Sequence, residues 1–95
     1  MYKELIVDDE QNIRDRLAGK MPWGEIGFEV AGSAESGEEA WQQVRRTQPH
    51  VVLTDIRMPG MTGLELIDKV SRQFPAVKTA VMSAYDDFAY AKDAI

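Results

Sequence analysis

The chain contains no cysteine, which excludes a disulfide framework, a thiolate nucleophile and any cysteine-ligated metal. It has one histidine, His50, so no histidine pair can grip a metal ion. That residue lies between a helix end and an apolar run and reads as a loop residue. No stretch of 18 or more apolar residues is present, so no segment reads as a membrane-spanning helix. Basic residues are in the minority, 11 against 16 acidic, and the net charge of -5 disfavours this segment as a binder of phosphate backbones. Any nucleic-acid contact has to come from elsewhere. Met1-Tyr2-Lys3-Glu4 turns acidic too early for a secretory signal, so a cytoplasmic location is the default expectation. There is no internal repeat, low-complexity tract or linker. What remains is 95 residues with 44% hydrophobic content, enough for one small soluble domain with one core.

The chain is organised around Val51 to Gly63. Val51-Val52-Leu53-Thr54 is continuously apolar rather than alternating, as in a short strand buried on both faces, and it stops at Asp55. Pro59 disfavours helix at Met58, and Gly60 and Gly63 permit backbone that other residues resist, so Asp55 to Gly63 is predicted to be a loop. Thr62 and Glu65 have the spacing of a capping box for the next helix. Taken alone, Asp55 reads more readily as a solvated strand end than as a functional residue.

The rest of the chain repeats this alternation. Glu4-Leu5-Ile6-Val7 is a second apolar run ending in acids, Asp8-Asp9-Glu10, and Ile13, Leu17 and Met21 recur at helical spacing after it. The acids are expected in that helix's first turn, where they would suit the dipole. Pro22 to Gly27 forms a turn-rich connector in which Trp23 reads as a packing anchor. Phe28 to Ser33 alternates as an edge strand does. Ser36 and Glu39 suggest a second capping box, opening a helix to about Thr47 with Ala40, Trp41 and Val44 inward and Pro49-His50 as its stop. Leu64, Ile67, Val70 and Phe74 define a third helix ended by Pro75. Thr79 to Met82 reads as a fourth strand ending at Ser83, and Asp86 can cap a last helix, Asp87 to Ile95, with Phe88, Ala91 and Ile95 inward. Four β-α repeats with short connections predict an α/β fold, a doubly wound parallel sheet with helices on both faces.

If the first and third strands are neighbours, as in a flavodoxin-like order, Asp8, Asp9 and Asp55 converge on one pocket with Ser83 beside it. Three ionised carboxylates repel by about 4 kcal/mol per pair at about 4 Å and an effective dielectric near 20, so they call for a cation or shifted pKa values. Oxygen ligands with an open solvent side suit Mg²⁺, which accepts a phosphoryl oxygen as a further ligand. The pocket is thus suited to phosphoryl chemistry, one carboxylate attacking in line to become an acyl phosphate.

Asp8-Asp9-Glu10, the run Asp55-Ile56-Arg57-Met58-Pro59-Gly60-Met61-Thr62-Gly63, and Ser83 resemble the response-regulator receiver domain of bacterial two-component signalling, over nearly the whole chain. The resemblance implies strand order 2-1-3-4, with residues 1–95 forming a receiver domain that stops short of the family's fifth strand and helix. It implies that Asp55 takes a phosphoryl group from the phosphohistidine of a sensor histidine kinase. Asp9, Asp55 and the Arg57 backbone carbonyl would hold Mg²⁺, Asp8 assisting partly through water, and Ser83 would be the hydroxyl that moves onto the phosphoryl group. Arg57 and Tyr85 match positions that tune dephosphorylation. The Pro22-Trp23 connector and Ser83 to Phe88 resemble the subgroup joined to a helix-turn-helix output domain, through which alone DNA would be contacted. Such a domain is a signalling phosphoacceptor, not a turnover enzyme, limited to self-phosphorylation from phosphodonors and self-dephosphorylation.

The family's phosphoryl-pairing lysine, at the end of its fifth strand, has no counterpart here, and neither Lys78 nor Lys92 matches its position. Two rival readings follow. An aspartyl-nucleophile phosphatase needs a second acid two residues after the nucleophile, where this chain has Arg57. A phosphorylation-independent interaction module of the same fold needs neither Mg²⁺ nor acyl phosphate. If the polypeptide ends at Ile95, an unprotected strand edge and a bare apolar sheet face are expected to drive oligomerisation, element exchange or poor folding. A stable compact monomer in sedimentation at micromolar concentration would overturn that expectation.

Overall fold

The structure is a computed structural model that describes residues 1–82. Ser83, Tyr85, the Asp86 cap and the helix expected over Asp87 to Ile95 lie outside the described residues. In chain order the elements are β1 (Tyr2–Val7), α1 (Gln11–Lys20), a 3-10 turn (Trp23–Ile26), β2 (Phe28–Ala34), α2 (Gly37–Thr47), β3 (Val51–Asp55), α3 (Gly63–Gln73) and β4 (Lys78–Met82). The strands are all parallel in the order β2-β1-β3-β4, as expected of the flavodoxin-like arrangement.

Register assigns the two faces of the sheet. Leu5 pairs with Val52 and Val7 with Thr54, so these side chains share one face. Leu5, Val7 and Val52 pack there with Ala40, Trp41 and Val44 of α2 and Leu66 and Val70 of α3, forming the core. Trp41 also stacks at a tilt on Phe74, with ring centroids 5.8 Å apart, and Lys69 Nζ lies 4.9 Å from the Trp41 ring. Glu4 and Ile6, both buried, face the opposite side. One acid thus lies buried against the sheet: among the described residues no hydrogen-bond partner reaches Glu4 Oε1, and burial raises the carboxyl's pKa.

The helices depart from sequence expectation in instructive ways. In α1 no residue is fully buried, and Ile13 and Leu17 are half-exposed. Met21, expected on their stripe, is the C-cap in extended conformation and 46% exposed, because Pro22 pushes its predecessor out of the helical region. The acids do not occupy the first turn of α1 either. Glu10 is the N-cap without a side-chain capping bond, and Asp8 Oδ1 instead accepts from Glu10 N at 2.9 Å in the turn before the helix. For α2, Ser36 caps Glu39 N as expected, but Glu39 reaches Gln43 rather than completing a box. The Thr62/Glu65 box of α3 is complete in both directions. In α3 the inward row begins at Leu66 rather than Leu64, which is 41% exposed. Leu64's own row continues in steps of four to Asp68 and Arg72, whereas Leu66's continues to Val70 and Phe74, and packing selects the row that is apolar throughout.

At the N-terminal ends of the strands, Trp23 anchors its connector by donating Nε1–H to Leu17 O at 2.7 Å and meeting Phe28 edge-on. His50 joins three strands there. Its Nδ1 accepts from Lys3 N at 2.8 Å, its own N–H donates to Lys3 O at 2.9 Å, and its carbonyl accepts from Lys78 N at 2.9 Å.

Replacement of Leu66 by alanine is expected to destabilise the fold by about 2–5 kcal/mol, and Leu64→Ala by about 0.5 kcal/mol or less. Urea denaturation of the two variants measures the difference; equal losses would overturn the assigned face of α3.

Candidate functional site

Because Val7 lies opposite Thr54, the residues that follow them, Asp8 and Asp55, leave adjacent strands side by side at the carboxyl edge of the sheet. Asp9 joins them from the turn into α1. One carboxylate oxygen of each of Asp8, Asp9 and Asp55 lies within 4.8 Å of the others, with Asp8 buried, Asp55 half-buried and Asp9 exposed. The three expected acids are therefore brought together. Arg57 is exposed two residues beyond Asp55, and Ser83 lies outside the described residues.

The backbone around Asp55 is tightly constrained. Its Oδ1 accepts from Ile56 N at 2.8 Å and its carbonyl from Thr54 Oγ1 at 2.9 Å. Gly63 N donates to Ile56 O at 2.8 Å, and a Cβ at position 63 would collide with Asp55 O. No larger residue fits at position 63 without moving the strand end.

Asp8 carries the electrostatic cost of the site. Burial raises its pKa from 3.8 to about 6; the Glu10 N–H opposes this, and repulsion by Asp55, Asp9 and Glu10 adds to it. The donor set is therefore oxygen only, charged and partly desolvated, which fits a hard divalent cation. Arg14, which sequence reading placed only among the polar residues of a helix, donates from Nη1 to Asp8 O at 2.6 Å and pins the β1–α1 turn. Its signal in the sequence is faint, a cation six residues after Asp8 on an otherwise ordinary helix. Beside the acids runs a groove of about 230 Å³ lined by Asp8, Glu10, Ile13, Leu17, Asp55 and Met82, among others. A larger hollow of about 570 Å³, on residues of the loop from Ile56 to Thr62 together with Leu64, has no carboxylate in its lining.

A carboxyl whose pKa is raised on folding adds stability at low pH that is lost as pH climbs from 3.8 through about 6. Without divalent cations, Asp8→Asn is expected to raise stability at about pH 7.5 and to lose that advantage towards about pH 4. Denaturation midpoints across this range check it; a pH-independent difference would overturn the assigned cause.

Comparison with known proteins agrees with this geometry. The family described as "Response regulator receiver domain" matches residues 5–95. The chain is 47% identical over 95 residues to the uncharacterized transcriptional regulatory protein YesN of Bacillus subtilis (strain 168), covering all of this chain and 26% of that relative. The solved REC domain of AraT, a response regulator from Geobacillus stearothermophilus, superposes with TM-score 0.87 at 38% identity, covering 98% of this chain and 72% of that one. A chain of the CheX-CheY-BeF3-Mg complex from Borrelia burgdorferi is similar at TM-score 0.81 and 25% identity, covering 98% of this chain and 69% of that one. The chain thus spans about a quarter of the YesN relative, and the acid-lined edge of its four-stranded sheet belongs to a member of the response regulator receiver domain family.

Proposed function

We propose that Asp55 is a phosphoacceptor, taking a phosphoryl group from the phosphohistidine of a sensor histidine kinase. The observation that carries this reading is the convergence of Asp8, Asp9 and Asp55 within 4.8 Å at the ends of adjacent strands. A carboxylate oxygen of Asp55 attacks phosphorus in line; the new O–P bond forms as the N–P bond of the donor breaks, and the leaving imidazole takes a proton from solvent. Bound Mg²⁺ would neutralise charge on the phosphoryl oxygens. Asp9, Asp55 and the Arg57 backbone carbonyl would hold it, with Asp8 assisting, and the all-oxygen, mutually repelling donor set supports that choice. In the Borrelia burgdorferi relative, the solved complex names Mg together with BeF3.

The position two residues after Asp55 is Arg57, so it carries no acid to protonate a leaving group and drive repeated turnover. The acyl phosphate is then a signal rather than a passing intermediate. Ser83 is assigned the switch hydroxyl by its place in the family motif. We read residues 1–95 as the receiver portion of a longer regulator whose output domain acts on transcription, in keeping with the name of the YesN relative and its greater length. A cytoplasmic location fits this reading, and no helix among the described residues is long and apolar enough to cross a membrane. A phosphorylation-independent module would leave the clustered acids without a purpose.

Intact mass after incubation with Mg²⁺ and a small-molecule phosphodonor is expected to show one phosphoryl adduct. EDTA and Asp55→Asn should each abolish it. An adduct that survives Asp55→Asn would overturn the assignment of the nucleophile.

A further inference from the structure

The loop between β3 and α3 is fixed firmly at its ends and differently in its middle. At the ends, Met58 is buried in the core and Gly63 is wedged against Asp55 O. In the middle, Pro59 and Gly60 are exposed. That stretch is fastened by α2. Met61 N donates to Glu38 Oε2 at 3.2 Å, and Gly60, at φ 75°, passes so close beneath the same carboxylate that a Cβ there would lie 2.6 Å from Oε2. Next to Glu38, Gly37 receives the Met61 side chain, and a Cβ at position 37 would come within 2.7 Å of Met61 Cβ. An acid in the first turn of a helix ordinarily serves the helix dipole. Glu38 does this and also accepts an N–H from another element.

We infer that Glu38 is a positioning residue for the phosphoacceptor loop, and that it sets Mg²⁺ affinity without taking part in phosphoryl transfer. The inference rests on the phosphoacceptor reading above. Asp8, Asp9 and Asp55 are held by strand ends and the β1–α1 turn, whereas Glu38 meets the loop at Gly60 and Met61. The Arg57 carbonyl is the one assigned ligand that belongs to the loop itself, three residues before Gly60. Loosening the loop therefore weakens the hold on the cation while leaving the nucleophile in place. The exposed hydrogen bond contributes little to global stability, so the effect should separate from folding.

The test is calorimetric Mg²⁺ titration of the 95-residue chain beside Glu38→Ala, Glu38→Gln and Gly60→Ala, with melting temperatures and the phosphorylation rate at saturating Mg²⁺. Glu38→Ala is expected to weaken Mg²⁺ binding about three- to tenfold, the scale of one hydrogen bond. The saturated rate should hold, and the melting temperature should fall no further than in Glu38→Gln, which loses the same helix-dipole contact. Glu38→Gln, which keeps an acceptor, should restore most of the affinity. Gly60→Ala, whose methyl displaces the carboxylate and strains a left-handed backbone, should weaken Mg²⁺ binding at least as much as Glu38→Ala, and the double variant should be no worse than Gly60→Ala alone. Unchanged Mg²⁺ affinity in Glu38→Ala would overturn the inference, as would a parallel fall in affinity, melting temperature and saturated rate. Mg²⁺ binding without an adduct on the unsubstituted chain would overturn the phosphoacceptor reading alone, the affinity comparison still deciding the role of Glu38. Absence of Mg²⁺ binding would overturn both.

Discussion

The pairing of β1 with β3, Val7 opposite Thr54, is the constraint on which the site depends. It places two carboxylates at the ends of neighbouring strands, where their repulsion has to be borne by the packing beneath them. That packing is concentrated on the α2/α3 side, where Leu5, Val7 and Val52 meet Trp41, Val44, Leu66 and Val70. A rigid apolar layer thus holds like charges at a distance they would not choose in water. The raised pKa of Asp8 reflects first its burial at the strand end and only then the repulsion of its acidic neighbours.

Much of this was legible in the residues. Continuous apolar runs that end in acids mark parallel strands with carboxylates at their carboxyl edge, and the regular alternation with helical segments gives a doubly wound sheet, while the order of its strands came with the resemblance to the receiver family. The Thr62-Gly63-Leu64-Glu65 start of α3 was readable because a capping box depends on neighbours alone. The errors lie where local signals were ambiguous. Leu64 and Leu66 both fit helical spacing, and only contact with α2 and the sheet distinguishes them. The acids before α1 looked like first-turn residues because sequence cannot show that Asp8 turns its oxygen back onto Glu10 N.

Two residues at the site left weaker traces. Arg14 and Glu38 sit on helices where a charge is unremarkable, yet both send it to backbone groups of a site-bearing turn or loop. Such contacts join residues distant in the fold or across a turn, and periodicity carries no information about them. The glycines are easier to interpret once the backbone is known. Gly63 is required by its approach to Asp55 O and Gly60 by its positive φ, although in the sequence both looked simply like loop punctuation.

The ties made by His50 have a consequence for the carboxylates at the opposite pole. A strand slipped by one residue would turn every side chain to the other face and carry Asp55 away from Asp8. With Lys3 held by two bonds and Lys78 by one, His50 meters β1, β3 and β4 from their starts. Five residues on, at about 3.3 Å each, that alignment is still kept at Asp55. A histidine with no place in the chemistry acts as the index mark from which the acidic edge is measured.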